Sequence, residues 1–483
     1  MPYIVKLEQA GIPTVIIDLP GLSEKIKHDA QVFGLSSVRY IEASWHMPGP
    51  EDVDRFIGPL MDALTVPLTE KEKESGMYAP HEPRILFEGT LEEAEEFYNQ
   101  TENLPGINNA PFARYTDGLP VVIPTEERVA AMLKGTSHKP EEIITYQHDI
   151  KAEEGMHSQA GMAIKKGDVV RFMPIGRAAT VEQVAVNAVM AGCKPEYFPL
   201  VLAIAESGGS TGDGRGEGGA FIVSGPIYKE IGMNVSYGRF SCGNPPNKTI
   251  GRVGALLWRN IGGYKESVTS IITYGNPVQN GGFIFAEYAE GLPEGWKGLN
   301  EEMGFGKDES IIMPIMPWKW GIGQEHMPGI YRSLQKSGHG AIARFLDVKG
   351  IPGPHNYLDY LTHNIWETME GGFTLVIVPK MAQDLYDLGF KSKEAVYEYL
   401  WKQSFEPLGK YRMRGKGDFF TNGWTGIEKT SGKHWKELSD DYEVPAGGES
   451  PWSYNIIVCD GKETDAQRFD GGHGYAFSVD NWR

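Results

Sequence analysis

Cysteine is scarce in this chain of 483 residues: Cys193, Cys242 and Cys459 are the three it has. An odd, widely spaced set is poor material for a disulfide framework, and no pair forms CxxC, so a reducing cytoplasm is the expected compartment. Positive charge is short as well. Lys and Arg number 46 against 64 Asp and Glu, a net charge of -18. Nothing resembles a basic stripe able to neutralise phosphates, which argues against nucleic acid and against an anionic membrane surface. No apolar run reaches the ~18 residues that span a bilayer, and no charged-then-apolar leader precedes the folded-looking start at Met1-Pro2-Tyr3. HExxH, a Walker lysine and a GxSxG at a strand-to-helix turn are missing too. Metalloprotease, P-loop and serine-hydrolase chemistry therefore have little support.

What the chain does contain is 60 glycines, 31 prolines, 41% apolar and 11% aromatic residues. That is globular composition with many tight turns, enough for two or three α/β or α+β domains. Residues 1–70 read as a partial α/β domain: "IPTVIIDLP" (Ile12 to Pro20) and "VRYIEA" as strands, "GPEDVDRFIGPLMDAL" as a helix. Its first strand is missing, so it is either a small docked appendage or a domain completed by another polypeptide. Residues 71–115 read as a charged helical linker. Residues 116–305 and 306–483 read as two α/β halves. In the first, "PVVIP" and "KKGDVVRFMPIG" are strand-like, and helices start after the N-caps Thr125 and Thr180. "GGAFIVSGPIYKEIGM" then gives Gly-Gly, strand, proline, helix and Gly-hydrophobe, followed by "TIGRVGALLWRNIGG" as a helix from near Thr249 and "NGGFIFAEYAEG" as a strand. "GGFTLVIVPKMAQDLYDLGF" and the helix "SKEAVYEYLWKQ" repeat that order in the second half. Either the chain holds an internal duplication, or two ordinary strand–helix units share an order by chance.

Chemistry can sit in three places. In "TVEQVAVNAVMAGCKPEYFP", Val181, Val184, Ala185, Ala188 and Val189 form a helical apolar stripe, Asn187 interrupts it, and Gly192 suits a left-handed cap. Cys193 follows at the helix exit, where the macrodipole raises a thiol pKa, so it reads as a small buried hydrophobe before it reads as a nucleophile. In "SYGRFSCGNPPNKTIGRVGALLWRN", Cys242 opens a stiff loop into a helix N-terminus, with Arg239, Lys248, Arg252 and Arg259 nearby. Cations lower a thiol pKa and a helix N-terminus attracts anions, so this loop reads as an active-site border or as a basic structural turn. The glycine-rich Glu206–Gly219 reads as a flap or a surface insertion. His148, His157 and His326 form no tight metal pattern, though a metal assembled from distant His, Glu287 and Asp residues stays open.

The chain resembles the UGSC-type (seleno)protein family, named for a selenocysteine- or cysteine-Gly-Ser-Cys motif. The resemblance rests on "GIPTVIIDLPGL", "DGLPVVIPTEERVAAML", "ATVEQVAVNAVMAGCKPEYFPLVLAIAES", "IVSGPIYKEIGMN", "NKTIGRVGALLWRNIGG", "FIFAEYAEG" and "GGFTLVIVPKMAQDL". "NAVMAGCKPEYFP" is its most specific block. In single-chain relatives the motif lies just before the stretch resembling "AGIPTVII", and this sequence holds no CGSC. The resemblance thus implies a large subunit whose small partner carries the Cys/Sec-Gly-Ser-Cys motif, in a cytoplasmic hetero-oligomer. The expected activity is reductive cleavage or elimination on a small, anionic organic substrate. Cys242, Cys193 and Glu287 are its candidate catalytic residues, and Asn187, Asn234, Arg239, Asn244, Lys248 and Arg252 its candidate binding residues. The sequence requires no cofactor beyond the partner's selenocysteine or cysteine. Rival readings are a metal-dependent lyase, hydratase or hydrolase, and a non-catalytic scaffold subunit.

Overall fold

The computed structural model describes residues 10–18, 38–42, 53–73, 84–104, 110–150, 164–173, 176–208, 220–266, 282–315, 354–361, 372–409, 430–445, 450–462 and 466–483, with a few single positions besides. The two expected N-terminal strands are β1 (Ile16–Asp18) and β2 (Tyr40–Glu42), paired in parallel with Ile17 opposite Ile41. Helix α1 (Val53–Thr65) buries Phe56 and leaves Val53, Ile57, Met61 and Leu64 exposed.

The charged stretch read as a linker is docked instead. Helix α2 (Leu91–Tyr98) starts in a Thr90–Glu93 capping box and sends Ala94 and Tyr98 into the main core. "PVVIP" forms no strand: Pro120 and Pro124 bracket it, each without an N–H to donate, and only the Val122 N–H reaches out, to the Met190 carbonyl. Likewise "KKGDVVRFMPIG" makes only single bridges, such as Val169 to Thr145. Helix α3 (Glu126–Leu133) begins after Thr125, and α4 (Val181–Ala191) begins in a Thr180–Gln183 capping box and ends at Gly192 with φ 85°. Helix α5 (Phe198–Glu206) is buried on every side.

Seven of the strands form two small sheets. In the first, β3 (Ala220–Ser224) pairs in parallel with β4 (Phe283–Ala286) and antiparallel with β5 (Ile311–Ile315), which in turn pairs with the short C-terminal strand β9 (Phe477–Ser478). Between β3 and β4 runs helix α6 (Pro245–Asn260), which starts one turn earlier than expected because Asn244 caps it and two prolines occupy its first turn. Its Gly251 lies against Gly282, which has φ 67°; a Cβ on Gly282 would stand 1.8 Å from the Gly251 oxygen, so only glycine lets helix and strand meet there.

In the second sheet, β6 (Phe373–Ile377) lies between a parallel β7 (Tyr454–Val458) and an antiparallel β8 (Ala466–Asp470). Helices α7 (Pro379–Asp387) and α8 (Lys393–Gln403) follow β6. Alternation along the strands sorts the side chains. Phe221, Val223, Ile284 and Ala286 pack with α4, α5 and α6, while Phe373, Leu375, Ile377, Ile456 and Val458 pack with α7 and α8. The opposite faces meet in a third cluster of Ala220, Ile222, Phe283, Phe285, Val376, Ile457, Cys459 and Phe469. The core therefore has four layers, helices on each outer face and the two sheets packed against each other. Strands buried on both sides explain the near-continuous apolar runs, and Phe285 stacks on Phe469 across the sheet–sheet contact at 5.7 Å. Since β5 belongs to the first sheet, the first half extends to Ile315, beyond the boundary at 305. Among the described residues, no helix is long and apolar enough to cross a membrane.

Candidate functional site

Just past the carboxyl ends of β3 and β4, polar side chains gather inside the protein. Glu287 follows β4 and is 1% exposed. Its Oε2 accepts from Ser224 Oγ (2.8 Å) and from the Leu299 N–H (2.7 Å). Its Oε1 faces Lys393 Nζ at 2.8 Å, and the same ammonium reaches Glu302 Oε2 at 2.8 Å. Lys393 is the first residue of α8, where Ser392 caps the helix. A cation at a helix N-terminus opposes the macrodipole, so the two carboxyl groups hold it there. Tyr397, one turn further on, donates to Glu302 Oε1 (3.0 Å) and accepts from the Ile456 N–H (3.3 Å). The network ties the first half, through Glu287 and Glu302, to the second, through Lys393 and Tyr397.

Burial works against a charged Lys393, yet Glu287 and Glu302 hold its pKa above the ordinary lysine value. Burial pushes Glu302 up to about 7; Lys393 pulls the other way, and Glu287 adds to the rise.

Glu302 also lines a cleft of about 260 Å³, with His148, Asp149, Phe305, Trp452 and Tyr475 among the other wall residues. His148 Nε2 lies 3.1 Å from the Ala476 carbonyl, which can only accept, so Nε2 carries the proton. Its Nδ1 is 3.8 Å from Glu206 Oε1. Glu206 ends α5, is fully buried, and accepts from the Gln147 N–H (2.8 Å) and Trp482 Nε1 (2.6 Å). Burial raises it to about 7 and lowers His148 below its usual value. A larger hollow, about 420 Å³, is lined by Ser137, His138, Lys139, Glu141 and Glu142. His138 in its wall is bonded on both ring nitrogens, to Glu142 and to the Asn481 carbonyl, which leaves it no free atom for a ligand.

The residues singled out in the sequence fall into three groups. Asn234, Arg239 and Asn244 lie in the loop around Cys242 and Lys248 in the first turn of α6, and the asparagine amides are spent on the loop itself. Asn244 Oδ1 caps α6, and Asn234 accepts from the Ser236 N–H and donates to the Tyr237 carbonyl. Buried Asn247, which carries no local signal in the sequence, bonds the Asn234 carbonyl and N–H and the Arg239 carbonyl. Arg239 donates to the Ser236 and Asp460 carbonyls, and Lys248 is half-buried. Cys242 is exposed. In the second group, Arg252 is engaged in a two-pronged ion pair with Asp117, both contacts at 2.8 Å, close to Cys193. Asn187 donates to the Gln183 carbonyl and accepts from Asn260 Nδ2 (2.8 Å) within the helical layer. Glu287 stands apart in the buried network, with Cys459 next to it; the Cys459 thiol donates to the Ala286 carbonyl (3.3 Å).

Burial pushes both Cys193 and Cys459 up to about 12, in Cys193 against weaker opposing contributions from Thr249 and Arg252. A thiol that stays protonated alkylates slowly. Brief iodoacetamide treatment of the native protein should therefore label Cys242 and spare Cys193 and Cys459. Labelling of Cys193 as fast as Cys242 would show that its surroundings open. Among the described residues no group of three or more His, Cys, Asp and Glu is placed to hold a metal; His157, His326 and most of the glycine-rich Glu206–Gly219 stretch lie outside them.

No family model, curated protein or solved structure matches this chain. The site is accordingly read from its own residues. Lys393 and Glu302 were not candidates in the sequence; His148 was weighed there only as a possible ligand of a metal assembled from distant residues, and Glu206 only as the start of the glycine-rich stretch.

Proposed function

We propose that the chain is the large subunit of a two-component thiol- or selenol-dependent enzyme of the UGSC type, acting on a small organic molecule in the cleft above Glu302. The observation that carries this reading is a cleft of about 260 Å³ backed by Glu302, whose carboxyl group burial raises to about 7 and whose side chain is 1% exposed behind the wall. The raised value gives the protonation state a general acid needs at neutral pH, and the volume falls just below the roughly 300–1,000 Å³ of drug-sized sites. In reductive cleavage the partner's selenolate or thiolate attacks the substrate carbon, and the leaving group departs with a proton from Glu302. The partner's second cysteine then attacks the sulfur or selenium, releasing the reduced product as it takes up a proton. The partner pair ends as a disulfide or selenenylsulfide, which an external dithiol reduces again.

Two features support a partner. Cys193 and Cys459 are held protonated and Cys242 lies on the outer loop, so the nucleophile is best supplied from elsewhere. The N-terminal unit also exposes apolar surface: Ile12 and Ile17 beside Val53, Ile57, Met61 and Leu64 along α1. We also infer that the two halves arose by duplication. In each, a five-residue central strand is followed by two helices, a parallel neighbour and then an antiparallel neighbour.

Purification of the tagged chain from its native cells should bring down a smaller polypeptide carrying a Cys- or Sec-Gly-Ser-Cys motif. Hydrogen exchange over residues 53–65 should slow in that complex relative to the isolated chain. Full activity from this chain alone, or unchanged exchange over 53–65 in the complex, would contradict the two-component reading.

A further inference from the structure

At the buried end of α5 two acceptors face each other. Glu206 is the last residue of that helix, where the macrodipole opposes a negative charge, and its side chain is wholly buried. Its oxygens accept from the Gln147 N–H (2.8 Å) and from Trp482 Nε1 (2.6 Å). His148 Nε2 donates to the Ala476 carbonyl, so Nδ1 carries the lone pair. That Nδ1 is buried, has no hydrogen-bond partner among the described residues, and stands 3.8 Å from Glu206 Oε1. Two acceptors so placed inside a protein repel one another while both lack a proton, and one proton between them turns the repulsion into a hydrogen bond. Burial favours the same state, since it raises Glu206 to about 7 and holds His148 below its usual value. Of the charges around the pair, Asp149 and Glu309 favour a charged His148, Lys166 disfavours it, and His138 favours a charged Glu206. Tyr146, near Glu206, Asp168 and Tyr475, is pushed up to about 12, chiefly by burial, and stays neutral. The pair ties α5 to the 145–148 stretch and, through Trp482 and Ala476, to the segment 475–483. His148, Tyr475 and Ala476 also line the cleft.

We propose that Glu206 and His148 share one proton, and that this proton latches the segment 475–483 to the cleft wall at His148, so that the cleft loosens when the pair gives it up. A carboxyl raised on folding contributes stability that is complete below about 4.5 and lost as pH rises through about 7. A lowered imidazole contributes above about 6.5 and loses that contribution as pH falls through its folded value. The latch is therefore tightest in mildly acidic solution and slackens above neutrality. Its bearing on turnover rests on the reading of the cleft as the reaction site, but its state can be read without turnover. The test follows the Trp482 indole N–H by heteronuclear NMR, and hydrogen exchange over residues 477–483, in the full chain. The indole resonance, assigned by its loss in Trp482→Phe, should move through a one-proton step near 7. Protection, corrected for the chemical exchange rate, should fall roughly tenfold from about pH 6 to about pH 8.5. Glu206→Gln removes the titrating group and should hold both readings flat, while His148→Leu removes the facing nitrogen and should lower the midpoint. A resonance and a protection that stay constant in the unaltered chain would overturn the proposal. So would a midpoint unmoved by His148→Leu, or a step that survives in Glu206→Gln, since that step would belong to His138 beside Asn481. If Glu206→Gln does not fold, the unaltered chain and His148→Leu still decide. A latch that titrates as described beside a Glu302→Gln enzyme of normal rate would remove the reaction-site reading and keep the latch. A flat latch beside an inactive Glu302→Gln enzyme would do the reverse.

Discussion

Lys393→Met should destabilise the fold by about 3–5 kcal/mol, because it leaves two buried carboxyl groups facing one another without their shared cation. Lys393, Glu287 and Glu302 side chains are 0%, 0% and 1% exposed, so water cannot take over the ammonium's role. Methionine fills nearly the same volume, which makes the loss electrostatic rather than a cavity effect. The triple variant Lys393→Met, Glu287→Gln, Glu302→Gln removes the charges together and should recover most of the stability. The denaturant midpoint at constant slope reads both values. A Lys393→Met protein within about 1 kcal/mol of the parent would mean that the buried bridge does not hold the two halves together.

Glu302→Gln is expected to lower kcat of the assembled enzyme by about 10²–10⁴-fold, the usual worth of a positioned proton donor. The amide oxygen can accept from Lys393, but its N–H meets the Tyr397 hydroxyl that now donates there, so the variant should also lose about 1–3 kcal/mol of stability, and kcat is read on folded protein. The parent's pH–rate profile should fall as pH rises through about 7, where Glu302 gives up its proton. The variant's residual rate should lack that step. In stability the sign is the same: a carboxyl whose folded pKa lies above its unfolded value stabilises most below about 4.5 and loses that contribution as pH rises through about 7. An unchanged rate and an unchanged profile would remove Glu302 from the chemistry.

Local signals carried the helices and the two central strands. Thr125 and Thr180 announced α3 and α4, and the Gly-Gly and proline around β3 and β6 marked the repeated units. Other elements are made by tertiary context. β8 contains Gln467, Arg468 and Asp470 and has no apolar alternation to read, yet it completes a sheet because β6 offers it an edge. β5 carries Pro314, which argues against a strand, and pairs antiparallel with β3 all the same. "PVVIP" has strand composition, but its two prolines remove the donors a ladder needs. The site was legible in part for the same reason. Glu287 stands out as an acid closing an apolar strand, whereas Glu302, His148, Asp149 and Trp452 come from three distant stretches that only the fold brings together. The loop around Cys242 gathered cations in the sequence, and folding spends three of them: Arg239 on carbonyls, Arg252 on Asp117, and Arg259 on the Thr116 carbonyl and Glu266.

The central claim is that a partner's thiol or selenol works in the cleft beside Glu302. Met303 lines that cleft, next in sequence to the carboxyl group in question. Met303→Cys in the native complex, mildly oxidised and separated without reductant, should form a disulfide or selenenylsulfide with the partner's Cys- or Sec-Gly-Ser-Cys motif, and mass spectrometry should locate that bond. A partner carrying the motif that never cross-links to position 303, under conditions where it reacts with a free thiol in solution, would contradict the account.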